Sequence, residues 1–110
     1  MPRQPTGTGT VLPPLELRTK YWFVVDGRFA IGEGGVELLR AIARRGSLAR
    51  AAEEVGWSYR HAWGYLRRAE GVLGVPLTAR RPGKGTARGL DLTKAARKLL
   101  RVARQAQVPA

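Results

Sequence analysis

Between Gly46 and Glu70 the chain reads GSLARAAEEVGWSYRHAWGYLRRAE, and its punctuation leaves few folds open. Gly46 stops a preceding helical pattern. Ser47 stands where a side-chain oxygen can accept a free backbone N–H, and Leu48, Ala51, Ala52 and Val55 recur on one side of the short segment that follows. Gly56 can take the left-handed conformation of a tight turn, and Ser58 is a second N-cap, opening a longer helix from Tyr59 to about Val72. Two capped helices joined by a short turn containing glycine predict a helix-turn-helix.

The flanking segments fill in the rest of one domain, which is all that 110 residues can support. Residues 1–14, rich in Pro, Gly and Thr, read as a loose arm, and residues 15–107 as the folded domain. A hairpin is expected over 15–31, because β-branched and aromatic residues surround Asp26-Gly27, a strong turn signal. A two-residue turn there pairs Val25 with Arg28. It puts Trp22, Val24, Phe29 and Ile31 on one face and Leu15, Leu17, Tyr21, Phe23 and Val25 on the other. Val36, Leu39, Ile42 and Ala43 mark a helix, so the helix-turn-helix region spans 36–72. Residues 77–92 read as strand, Gly-rich basic loop and strand. Thr93 caps a last helix, 94–107, with Ala96, Leu99, Leu100 and Ala103 as its inward stripe. The fold class is α+β, mainly α: a winged helix-turn-helix with an N-terminal β-hairpin and a C-terminal helix. Apolar residues on both faces of the hairpin, and the apolar stripe of the last helix, lead to the expectation of a homodimer.

On the helix from Tyr59, residues Ala62, Leu66, Ala69 and Leu73 mark the packed side. Tyr59, Trp63 and Arg67 form a separate row, with Arg60 and Gly64 beside it. Guanidinium groups that read guanine, apolar edges that meet thymine methyls and a glycine that permits close approach suit a DNA major groove. Trp63 and Tyr65 also read as core or interface residues, Tyr65 lying nearer the packed side. Trp57 reads as a packing anchor in the turn, and His61 as a partly buried spacer or a phosphate donor.

Charge points to the same class of partner. The net charge is +12; residues 1–39 balance, so the whole excess falls in residues 40–110, where 16 basic residues face 4 acidic ones. That asymmetry implies a polyanion, nucleic acid first and an anionic membrane surface second. Arg80, Arg81, Lys84 and Arg88 crowd the Gly-rich loop, which lacks the Lys-Ser/Thr of a phosphate-binding P-loop. Without cysteine and with one histidine, no metal site, cofactor or catalytic set is expected, and the chain does not read as an enzyme. No apolar run approaches a membrane span and the N-terminus has no apolar signal core, so no membrane partner and a cytoplasmic location are expected.

These residues carry a family resemblance. The stretch Gly46–Glu70, then LGVPL, the Gly-rich basic wing and LDLT, resembles the N-terminal DNA-binding domain of the ModE molybdate-responsive regulators, itself similar to the LysR-type winged helix. LELRTKYWFVVDGRFAIGEG resembles the hairpin before the helix-turn-helix in ModE-like proteins, and the likeness runs from about Leu15 to Gln107. The resemblance implies sequence-specific binding of double-stranded DNA and transcriptional regulation. It implies that Tyr59, Arg60, Trp63 and Gly64 enter the major groove, that Arg80, Arg81, Lys84 and Arg88 reach the backbone or minor groove, and that Ser47 and Ser58 lie at helix N-termini that donate to phosphate. The chain departs from the family by stopping where the molybdate-binding domains would begin. The expectation is a stand-alone domain whose effector acts through a separate sensing protein. Two other readings remain: a nucleoid or RNA-associated basic protein without sequence choice, and a module that binds DNA only when docked on a sensor chain.

Overall fold

Helix-ending residues and one hairpin turn divide the chain into the elements of the computed structural model, which describes residues 11–81 and 89–107. In order they are β1 (Trp22–Val25), β2 (Arg28–Gly32), α1 (Glu33–Arg45), α2 (Leu48–Val55), α3 (Tyr59–Leu73), β3 (Thr78–Arg80), β4 (Leu90–Leu92) and α4 (Lys94–Gln107). The molecule is mainly helical, with two small antiparallel sheets, β1-β2 and β3-β4. It is a winged helix-turn-helix with a hairpin before it and a helix after it.

Local chemistry accounts for the boundaries. Asp26 and Gly27 both have positive φ, 50° and 78°, the combination a tight hairpin turn needs and one that aspartate and glycine tolerate best. Ser47 accepts a hydrogen bond from the Arg50 N–H at 3.2 Å, and Ser58 from the His61 N–H at 3.0 Å, so each helix of the helix-turn-helix starts on a satisfied donor. Between them Gly56 adopts φ 79°, where a side chain would be strained, and closes α2 by donating to Ala52 and Glu53 carbonyls. Thr93 ties the wing to α4. Its Oγ1 donates to the Pro76 carbonyl at 2.8 Å and accepts from the Ala96 N–H at 3.2 Å, while its own N–H donates to the Leu77 carbonyl.

Helix α1 is the centre of the core. It packs against α2, α3, α4, β2 and β4. Its Val36, Leu38, Leu39, Ala41 and Ile42 are fully buried with Ile31 and Leu77, each large side chain contributing about 1.5–3 kcal/mol through burial. Ala43, expected on the inward stripe, is exposed, and Leu38 and Ala41 are buried instead: a helix surrounded by neighbours hides more than one narrow stripe.

The hairpin departs from the expected pattern in two ways. Val25 pairs with Arg28 and Val24 with Phe29, but a bulge follows, so that Phe23 pairs with Ile31 and Trp22 with Gly32. The extra residue, Ala30, reverses the alternation. Ile31 therefore leaves the face of Trp22, Val24 and Phe29, which stay exposed, and joins Phe23 in the core-facing layer. Strand pairing also begins only at Trp22. Residues 11–20 have no regular secondary structure, because β2 ends at Gly32 where the chain enters α1, leaving them no strand to pair with.

Candidate nucleic-acid interface

Helix α3 carries two aromatic rows, and the structure separates them. Trp57, just before the helix, packs its ring on His61 (centroids 4.4 Å apart) and on Tyr65 (5.1 Å). This row lies against the start of α1, where Gly34 and Gly35 leave the room it occupies. A Cβ on Gly34 would meet Trp57 Cζ2 at 3.0 Å, and one on Gly35 would collide with the Tyr65 ring and with Ile31 Cγ1 at 2.5 Å. The Tyr65 hydroxyl accepts the Gly32 N–H at 2.8 Å, fixing α3 to the junction of β2 and α1. Tyr65 is thus a packing residue and Trp57 an anchor. His61 is exposed at the rim of the cluster rather than partly buried.

The second row faces the other way. Tyr59 and Trp63 are each about half exposed, 56% and 50%, and Arg67 lies over the Trp63 ring with its guanidinium carbon 5.3 Å from the centroid. That spacing holds the cation over the electron-rich ring face. Gly64 has no heavy atom within 4 Å of where its Cβ would be, so packing gives no reason for a glycine there. Arg60 is exposed.

This row forms one wall of an open groove of about 770 Å³. The start of α2, with Ser47, Leu48 and Ala49, and the base of the wing, with Thr78 and Arg80, close its other sides. Two hydrogen bonds set the wing beside α3: the Leu90 N–H donates to the Gly46 carbonyl at 2.9 Å, and the Leu77 N–H to Glu70 Oε2 at 2.8 Å. The first adds the α1–α2 corner to the edge of β4. The second occupies a carboxylate of α3 that would otherwise compete for the nearby cations.

Among the described residues Arg60, Arg67 and Arg80 have no carboxylate within salt-bridge reach. Arg81 differs. Its Nη2 donates to Asp91 Oδ1 at 2.7 Å across the wing strands, and that hydrogen bond holds the Asp91 carboxyl below the usual carboxylate range while raising the pKa of the guanidinium. Arg81 braces the wing base, with its guanidinium also over Gly89. Lys84 and Arg88 lie outside the described residues. Ser47 and Ser58 use their oxygens as acceptors for the helix caps, which leaves each hydroxyl hydrogen available to a phosphate.

The structure thus brings Ser47, Tyr59, Trp63, Arg67 and Arg80 around one groove. The sequence reading missed Leu48 and Ala49, which line it too. Their position directly after the Ser47 cap was the available signal, since first-turn residues flank whatever approaches a helix start. Among the described residues no group of His, Cys, Asp or Glu could hold a metal ion, and no helix is long and apolar enough to cross a membrane.

The family model for bacterial regulatory helix-turn-helix proteins of the LysR family matches residues 35–97, more than half of the chain. The molybdenum-pterin-binding protein MopB of Rhodobacter capsulatus is 40% identical over 70 residues, covering 64% of this chain and 26% of MopB. The chain therefore spans about a quarter of the length of that relative. Among solved structures, the CbnR_DBD–DNA complex is similar with a TM-score of 0.53 at 29% identity, over 66% of this chain and 77% of the other. A transcriptional regulator of the LysR family from Eggerthella lenta DSM 2243 is similar with a TM-score of 0.51 at 32% identity, over 66% and 96% of the two chains.

Proposed function

The chain belongs to the LysR family of bacterial regulatory helix-turn-helix proteins, and from that membership we propose that it binds double-stranded DNA at specific sequences and regulates transcription. The observation that carries the reading is the exposed row Tyr59, Trp63 and Arg67 beside a glycine with open space around it, on the wall of a groove between α3 and the wing. Similarity to a domain solved in complex with DNA supports DNA as the partner.

In this reading α3 enters the major groove. Arg60, exposed in its first turn, reaches a guanine edge, and the rings of Tyr59 and Trp63 meet thymine methyls. Gly64 lets the helix backbone approach, and the Trp63 ring holds Arg67 in place before DNA arrives. Ser47 and Ser58 donate to phosphates at the starts of α2 and α3, where the helix dipoles favour negative charge. Arg80, Lys84 and Arg88 of the wing neutralise the flanking backbone, while Arg81, paired with Asp91, holds the wing base. The proposal includes a homodimer on two half-sites about one helical turn apart, and a separate effector-sensing partner.

Binding-site selection with the purified protein, followed by competition with single-base variants, tests it. The selected operator should outcompete unrelated duplex by about 10³-fold or more. Arg60→Ala should lose discrimination at one base pair of each half-site, about 1–3 kcal/mol, whereas Lys84→Ala should weaken all sequences alike and lower the log-log salt slope by about one unit. Equal affinity for every duplex, with only a salt dependence, would replace this reading with that of an architectural DNA-coating protein.

A further inference from the structure

The chain before β1 overhangs the sheet. Its outermost pair is Trp22 with Gly32, and beyond Gly32 the partner chain turns away into α1, so residues 15–20 have no strand beside them. Their sequence nevertheless continues the alternation of β1. In an extended chain Leu15, Leu17 and Thr19 share a side with Tyr21 and Phe23, which pack on the core, while Glu16, Arg18 and Lys20 share the opposite side. The two leucines are 73% and 92% exposed. A strand pattern with an apolar side and unpaired backbone groups is a template for another strand.

We propose that this overhang is a dimerisation strand, in which Leu15–Thr19 of one copy pairs antiparallel with the same residues of a second copy about a two-fold axis at Leu17. The proposal rests on the homodimer in the functional reading above and gives that dimer a location. Charge selects both the occupant and the register. Centring the pair on Leu17 opposes Glu16 of each copy to Arg18 of the other, replacing the exposed Glu16–Arg18 ion pair seen within one chain at 2.6 Å. Centring on Glu16, Arg18 or Thr19 opposes like charges: Glu16 to Glu16, Arg18 to Arg18, or Arg18 to Lys20. Registers centred between residues set apolar side chains opposite charged ones. Pro13 and Pro14, which lack the N–H a ladder needs, end the pairing on its outer side. The contact is isologous, so it closes at two subunits and leaves the α3 groove of each copy free.

The absence of cysteine from the chain makes the test clean. A residue on the axis lies about 4.5–5.5 Å, Cα to Cα, from its own copy, within disulfide range. Residues 15 and 19 lie roughly 14 Å from their own copies, beyond it. In the full chain, oxidised Leu17→Cys should therefore run almost entirely as a disulfide dimer. Leu15→Cys and Thr19→Cys should not when oxidised alone, and should cross-link when mixed. Leu17→Asp, at a position exposed in a single copy, should keep its helical circular dichroism while the dimer Kd rises roughly 100-fold by light scattering. A wild-type dimer in which Leu17→Cys cross-links no better than its neighbours, or a Leu17→Asp protein that stays dimeric, overturns the proposed strand and leaves the homodimer reading to another surface. A monomeric wild type overturns both.

Discussion

The two aromatic rows of α3 use the same residue types for opposite ends. Trp57, His61 and Tyr65 turn toward α1 and close on Gly34 and Gly35; Tyr59, Trp63 and Arg67 turn toward the groove and close on nothing. Each row has a tryptophan, a tyrosine and a cationic neighbour: Arg68 sits 5.9 Å from the Tyr65 ring centre, as Arg67 sits 5.3 Å from that of Trp63. The difference lies in the facing surface. Where glycine removes side chains from α1, rings pack and hold the helix in position. Where the neighbours are a helix start and a short wing, the rings stay open to a partner. Position on the helix, and not residue type, separates the residues that aim α3 from those available for contact.

The largest test of that division compares the tryptophans. Trp57→Ala should destabilise the fold by about 2–4 kcal/mol in denaturant unfolding, by removing the ring that fills the gap beside Gly34. Trp63→Ala should change stability by less than about 1 kcal/mol while weakening operator binding. Equal losses of stability would mean that the exposed row is also part of the core.

The glycines give a smaller effect with opposite signs. Gly35→Ala adds a methyl where Tyr65 and Ile31 already sit, and should cost about 1–3 kcal/mol despite the better helix propensity of alanine. Gly64→Ala meets open space and should stabilise the helix by about 0.5–1 kcal/mol, yet reduce DNA affinity if the backbone approaches the duplex there. Thermal melts of the two variants, with a binding isotherm for the second, decide both.

Tyr65→Phe isolates the hydrogen bond from the packing. Losing the acceptor for the Gly32 N–H at 2.8 Å should cost about 1 kcal/mol, with faster exchange of that amide by NMR and binding weakened only as far as α3 loosens. The smallest effect belongs to the wing. The hydrogen bond from Arg81 lowers the Asp91 pKa in the folded state, so the contribution of the pair to stability is complete above the ordinary aspartate value near 4. It fades as the pH falls through the lowered folded value. Asp91→Asn should remove that part of the acid dependence and leave stability at neutral pH little changed, because the pair is exposed and screened.

The helix boundaries were legible because they are written within a few residues. Ser47, Ser58 and Thr93 cap the helices that follow them, and Gly46 and Gly56 end the ones before, through bonds that reach three or four residues along the chain. The packed stripe of Ala62, Leu66 and Ala69 is likewise a local periodicity, and once it is set the opposite row of Tyr59, Trp63 and Arg67 follows from helix geometry. The row's place on the helix could therefore be read from sequence, but Trp63 read equally as a core residue, and only the structure leaves it half exposed. The fate of Tyr65 could only be narrowed, since its partner Gly32 lies 33 residues away.

What the sequence by itself determined about this protein is the order of its elements, their caps, the basic half of the chain and the packed stripe of α3. The tertiary structure alone decided that a bulge at Ala30 sends Ile31 inward, that Gly34 and Gly35 receive the rings of Trp57 and Tyr65, and that Arg81 turns to Asp91 while Arg80 lines the groove. The physical reason is range. Caps and helical periodicity are settled by neighbours within one turn, whereas a strand's face, a ring's pocket and a cation's partner are settled by whichever distant backbone arrives beside them.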